Sequence, residues 1–238
     1  MRILAIDTSV GTGSAAAQDE RGAAERTLGP AGDHARVLTA VLAAVAAERG
    51  WGTAARPLGD LGPNDVIAIV TGPGSFTGLR VGVTAAKTIA WASGARLVGV
   101  SGFEAIALRA EQVAGWKGVP IAIAYDAGRG EVWAATVSPT ATGWTVSAPA
   151  IVRREDWLDG LPPLAHVAGP ALDAAAFPLG RRDDLVVAPP EARQPSAASV
   201  AAIARSRAEA GLFADPATLV PDYMRPSYAE EKRGPAAG

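Results

Sequence analysis

The stretch VTGPGSFTGLRVGVTAAK (Val70–Lys87) follows an apolar run, Val66-Ile67-Ala68-Ile69-Val70, and passes through glycines into a helix-compatible segment. A strand, a glycine turn and a helix in that order is how many nucleotide enzymes build an anion site. Backbone N–H groups and the helix N-terminus then face the phosphates. The spacing fits neither phosphate motif. A P-loop starting at Gly72 needs its second glycine where Thr77 stands and a lysine directly after, yet no lysine follows until Lys87. The dinucleotide fingerprint matches at Gly72 and Gly74, but its third glycine comes one place late, at Gly78. Gly78, Gly82, Ala85 and Ala86 instead leave one side of the helix almost without side-chain height. That suits close packing, either in the chain's own core or against a partner helix. Ser75 or Thr77 serves as N-cap, which accounts for the hydroxyls without catalysis.

Outward from this segment the chain alternates strands and helices. Arg2 to Ile6 is extended, Asp7 to Gly13 is a tight turn, and Ser14 to Gln18 and Ala23 to Leu28 return as hairpin strands. Asp33 is the expected N-cap of a helix reaching Arg49, with Leu38, Val41, Leu42 and Val45 on one face and Gly50 as its stop. Thr77 to Ser93 is predicted helical, Leu97 to Val100 extended, and Phe103 to Val113 helical. A second strand, acidic turn and strand runs from Ile121 through Asp126 to Val137 and echoes the start, which suggests two related halves. Trp144 to Val152 reads as extended, Arg154 to Leu158 as a short helix, Leu185 to Val187 as a strand and Ser196 to Ala210 as a helix. The Pro-rich end is expected to fray after Tyr228. Helices mixed with hairpins indicate a mixed α/β sheet rather than a purely parallel one.

The 238 residues suffice for one large domain or two small ones, and 49% apolar against 19% charged residues is a globular balance. A net charge of −2 gives no general attraction to nucleic acid or an anionic membrane. Cysteine is absent, which excludes disulfides, thiolate catalysis and cysteine-ligated metals. The first apolar run is cut at Asp7, too early for a signal-peptide core, and no run is long enough to span a bilayer. A soluble cytoplasmic protein is expected.

Catalytic constellations are sparse. Of the two histidines, His34 and His166, neither forms an H-x-x-x-H pair, and Leu38 stands four places after His34. Neither Ser75 nor Ser101 lies in G-x-S-x-G. Asp7-Thr8-Ser9 and Asp126 each end a strand and begin a turn, as the phosphate-gripping turns of an actin-like ATPase do. They are the candidate nucleotide residues, with plain turn formation as the alternative. The basic pairs Arg153-Arg154, Arg181-Arg182 and Lys232-Arg233 read as solvated faces.

MRILAIDTS, DHARVL, VTGPGSFTGLRVGVTAAKTIAWA, LVGVSGFEAIA and IAYDAGRGEVWAA, in this order over residues 1 to 137, resemble the bacterial TsaB family. YMRPSY near the end is a looser echo. GPGSFTGLR before a helix is the most specific of these. The resemblance implies an actin-like, RNase-H-like (ASKHA) α/β fold in two lobes, the second reduced. The expected division is residues 1–102, residues 103–228 and a tail at 229–238. It further implies a non-catalytic subunit that supports a TsaD-like catalytic subunit, with a TsaE-like ATPase, in forming threonylcarbamoyladenosine on tRNA. Leu38 at the place of a second metal-binding histidine agrees with lost catalysis. No cofactor or metal is expected in this chain; ATP and a divalent metal belong to the partner subunits. A homodimer is a further expectation, and tRNA is met only through the complex.

The pairing surface implied by the resemblance comprises His34, Leu38, Val41 and Leu42 of the first helix. From the second it takes Thr77, Gly78, Arg80, Val81, Gly82 and Thr84. On this reading a Gly82→Arg chain stays folded and loses its partner. One departure from the family is Gly128 after Asp126-Ala127, where a basic residue is expected, with Arg129 one place later. Competing functions are an independent actin-fold phosphotransferase or ATPase and, more remotely, a metalloprotease-like activity.

Overall fold

The structure is a computed structural model that describes residues 1–141 and 143–223. Strand β1 (Ile3–Asp7) lies at its centre, antiparallel to β2 (Ser14–Asp19) and parallel to β4 (Val66–Gly72). With β3 (Gly22–Thr27) outside β2 and β5 (Arg96–Ser101) outside β4, the first sheet has the order β3-β2-β1-β4-β5.

Period-two patterning decides what covers each face of this sheet. Leu4, Ile6, Ile67 and Ile69 point to one side, against α1 (His34–Glu48) and α2 (Phe76–Ser93). Ile3, Ala5, Val66 and Ala68 point to the other, against Ala197, Val200, Ala201 and Ala204. A strand covered on both faces reads as an unbroken apolar run, which is why Val66–Val70 does.

Beyond α3 (Gly102–Ala114), strands β6 (Ile121–Gly128), β7 (Glu131–Thr140), β8 (Gly143–Val146), β9 (Ala150–Arg153), β10 (His166–Ala168) and β11 (Val186–Val187) make the second sheet. Its order is β11-β10-β6-β7-β8, with β9 also pairing β7. The extended stretch expected over Trp144–Val152 is therefore two strands, and β10 escapes a sequence reading because it has only three residues. The short α4 (Arg154–Asp159) follows β9.

The final helix, α5 (Ala197–Glu209), belongs by sequence division to the second lobe, but it packs on the first sheet. Without it the face carrying Ile3, Ala5, Val66 and Ala68 would be open to water. Residues after α5 continue along the same lobe: Ala214 N–H donates to the Leu97 carbonyl (2.8 Å) and Asp222 N–H to the Thr71 carbonyl (2.8 Å). The expected fraying after Tyr228, the tail at 229–238 and most of YMRPSY lie outside the described residues.

Serine side chains cap α2, α3 and α5, whereas α1 and α4 start without a side-chain cap. Ser75 caps α2 by accepting from Gly78 N–H (3.2 Å), and Ser101 with Glu104 forms a capping box on α3. Asp33 does not cap α1. It closes a 3-10 turn, Ala31–Asp33, with φ −96° and ψ −11°, and its carboxylate takes Arg36 instead at 3.0 Å. A capping residue needs extended backbone so that its side chain can turn back on the helix. No helix among the described residues is long and apolar enough to cross a membrane.

Candidate functional site

β1 delivers Asp7, Thr8 and Ser9 to the point where β4 turns into α2. All three are buried. One Asp7 carboxylate oxygen accepts from Ser9 N–H (2.8 Å) and from the Ser9 hydroxyl (2.6 Å). Burial pushes the Asp7 carboxyl up to about 6, partly opposed by those two bonds. The Thr8 hydroxyl donates to the Gly78 carbonyl (2.7 Å), and the Ser9 carbonyl accepts from Ser75 N–H (2.7 Å). These polar groups thus hold the entry of α2, where a phosphate-gripping turn would leave them free for ligand.

Asp126 is placed differently. It is exposed, accepts from Gly128 N–H (2.8 Å) and pairs with Arg154 at 3.0 Å. Ser9 and Asp126 do meet on one cleft of about 520 Å³ between the lobes, together with Phe76, Tyr125 and Trp133. Asp7 and Thr8 do not line it, and among the described residues that do, none is Lys or Arg. A cleft with an acid and no cation is poorly matched to a triphosphate. Two of its aromatic groups, the Tyr125 hydroxyl and Trp133 Nε1, are buried without a hydrogen-bond partner. Burial, and then the nearby Asp7, holds the Tyr125 hydroxyl well above its ordinary range.

His34 opens α1 but faces inward. It is 1% exposed, its Nε2 lies 3.2 Å from the Gly29 carbonyl and its Nδ1 has no partner. Leu38, one turn on, is in the core. Among the described residues no group of three or more His, Cys, Asp or Glu side chains gathers around a common point.

The expected pairing surface divides by helix phase. His34, Leu38 and Leu42 on α1, and Gly78 and Gly82 on α2, are buried in the chain itself. They are corrected from partner contacts to core. Spacing of three and four identifies the apolar face of a helix, and that face turns toward the sheet. The glycines have a specific reason to be there. A Cβ at Gly78 would collide with the Thr8 carbonyl oxygen, and one at Gly82 with Thr8 Oγ1 and, at 2.8 Å, with Ile69 Cδ1. They let α2 rest directly on the end of β1, so Gly82→Arg cannot leave the chain folded as the sequence reading expects.

What remains outward is Thr77, Arg80 and Thr84, with Val41 and Val81 half-buried beside them. Among the described residues, sequence reasoning missed the most exposed large apolar side chain, Trp91, at 84%. It stands seven residues after Thr84, two turns along the same stripe, and that interval was the available signal.

Comparisons with known proteins agree with this architecture. A family model described as TsaD: tRNA N6-adenosine threonylcarbamoyltransferase matches residues 34–179, more than half of the chain. The tRNA threonylcarbamoyladenosine biosynthesis protein TsaB of Bacillus subtilis (strain 168) is 40% identical over 76 residues, and the match spans 31% of this chain and 31% of that protein. The structure of YeaZ from Pseudomonas aeruginosa superposes with a TM-score of 0.73 at 22% identity, covering 93% of this chain and 100% of that one. A second structure, of an uncharacterized protein with similarity to peptidase YEAZ from the same organism, gives 0.74 at 22%, over 94% and 99% of the two chains. These two show that the chain shares their fold, and with the two mixed sheets and the TsaD family match they are consistent with the expected actin-like, RNase-H-like fold. The chain belongs to the family whose model is described as TsaD: tRNA N6-adenosine threonylcarbamoyltransferase.

Proposed function

We propose that the chain is a non-catalytic subunit in the formation of threonylcarbamoyladenosine on tRNA, and that it acts by binding a TsaD-type catalytic subunit through the outward face of α1 and α2. The observation that carries the reading is the use made of the β1 turn. Asp7, Thr8 and Ser9, which would handle phosphate in an active relative, are consumed internally: Asp7 is bonded to Ser9 within the turn, while the Thr8 hydroxyl and the Ser9 carbonyl hold the start of α2. The helix is thereby held rigid with Thr77, Thr84 and Trp91 presented to solvent, and a pre-ordered face with an aromatic anchor suits docking. Nucleotide, metal, the TsaE-type ATPase and tRNA enter through the assembled complex.

Reconstitution of threonylcarbamoyl transfer to tRNA with the host's TsaD-type subunit tests this. Activity should depend on adding this chain and should fall at least tenfold with Thr84→Arg, which puts a long cation in the middle of the face. Transfer that proceeds equally well without the chain, or with the variant, overturns the proposal. The pure chain should show no ATP turnover that Asp7→Ala removes.

A further inference from the structure

We propose that the cleft between the lobes takes the chain's own residues 224–228, which enter it from the first lobe and tie the two lobes together.

The course of the chain leads there. Asp222 N–H donates to the Thr71 carbonyl (2.8 Å), and the Asp222 carboxylate accepts from the Thr71 hydroxyl (2.6 Å). A Cβ on Gly72 would stand 2.7 Å from the Asp222 carbonyl oxygen, so the missing side chain lets residue 222 rest on the end of β4. Tyr223 then stacks on Phe76 with ring centroids 5.0 Å apart, and Arg80 Nε donates to its hydroxyl (2.8 Å). Phe76 is itself a wall of the cleft, with Gly74 and Ser75 beside it. The last described residue thus lies one side chain away from the cleft. Residues 224–228, if extended, reach about 17 Å. That is ample for a cleft of about 520 Å³.

The chemistry of the cleft selects this occupant. Its other large walls are Tyr125 and Trp133, and its one charged lining residue among those described is Asp126. The segment reads Met224-Arg225-Pro226-Ser227-Tyr228. Met224 and Tyr228 suit the aromatic walls, and Arg225 brings a cation to the acid. Asp126 already takes Arg154 at 3.0 Å, yet its side chain is still 51% exposed, which leaves room for a second guanidinium. Pro226 favours extended backbone at Arg225, and an extended segment offers carbonyl oxygens along its length. A carbonyl is the acceptor that the buried, unpartnered Trp133 Nε1 calls for. A phosphate would instead bring Asp126 a like charge. With this segment in place the cleft is closed to small ligands, and α2 of the first lobe is joined to β6 and β7 of the second.

The chain contains no cysteine, so Ser227→Cys supplies a single attachment point for bimane, a fluorophore that tryptophan quenches on contact. On the full chain the label should be dim. Trp133→Phe should brighten it severalfold, while Trp91→Phe leaves it dim. Brightening by Trp91→Phe alone would lay the segment along α2, and equal brightness in all three chains would leave it outside the cleft. Either result overturns the proposal. Asp126→Lys alters an exposed side chain and serves as the second variant. Its reversed charge should brighten the label with Trp133 in place, and a label that stays dim also overturns the proposal. Quenching of the labelled Trp133→Phe chain by an excess of unlabelled, unaltered chain would assign the cleft to the same segment of a second copy and overturn the intramolecular contact.

Discussion

Replacing Gly82 by alanine tests whether α2 is seated on Thr8. In an exposed helix the change should stabilise by about 1 kcal/mol, since glycine costs the most backbone entropy. Here the new methyl group would meet Thr8 Oγ1 and stand 2.8 Å from Ile69 Cδ1, both buried against the sheet. Overpacking of this kind costs about 1–3 kcal/mol, and the lost Thr8–Gly78 bond adds about 1 kcal/mol. The net expectation is a loss of about 2 kcal/mol, or about 4–8 °C in melting temperature for a chain of this size. Urea titration followed by circular dichroism reads it directly. Thr8→Ala should relieve the collision, so the double variant should be more stable than the sum of the single losses by about 1 kcal/mol or more. Gly82→Arg should not accumulate as folded protein. A Gly82→Ala chain more stable than the original would refute the close approach, and a folded Gly82→Arg chain that had lost only its partner would restore the sequence reading.

The same turn has a pH signature. The folded Asp7 carboxyl, at about 6, binds its proton more tightly than the unfolded one at 3.8, so its contribution is greatest below about pH 4 and is lost as pH rises through 6. The loss is about 3 kcal/mol, and Asp7→Asn should flatten the stability of the chain over that interval. An identical slope in both proteins would show that Asp7 is not buried as described. Ser75→Ala removes the only side-chain cap of α2 and should cost about 1 kcal/mol in the same titration; no change would mean that Ser75 does not hold the first turn.

Much of this fold is legible in the sequence because local rules and tertiary demands coincide. The buried runs of β1 and β4, the capped start of α2 and the serine before α5 each carry their own signal. The residues of the proposed docking face are less legible for a physical reason. Periodicity gives the interval of a helical stripe, but the small residues Gly78 and Gly82 suit close packing on a partner helix as well as on the chain's own sheet, and only the position of Thr8 beneath them decides that they face in. The placement of α5 is likewise tertiary: the sequence marks a helix at Ser196–Ala210, while the uncovered face of β1 determines where it goes. Asp33 misled because its residue type is right for a cap and its backbone, already helical, is not.

The most direct test of the account is the light-scattering mass of the purified chain, alone and mixed with its host's TsaD-type subunit. The account predicts a complex of one chain with one TsaD-type subunit, formed at the expense of any homodimer and absent with Thr84→Arg. Two species that keep their separate masses when mixed would contradict it.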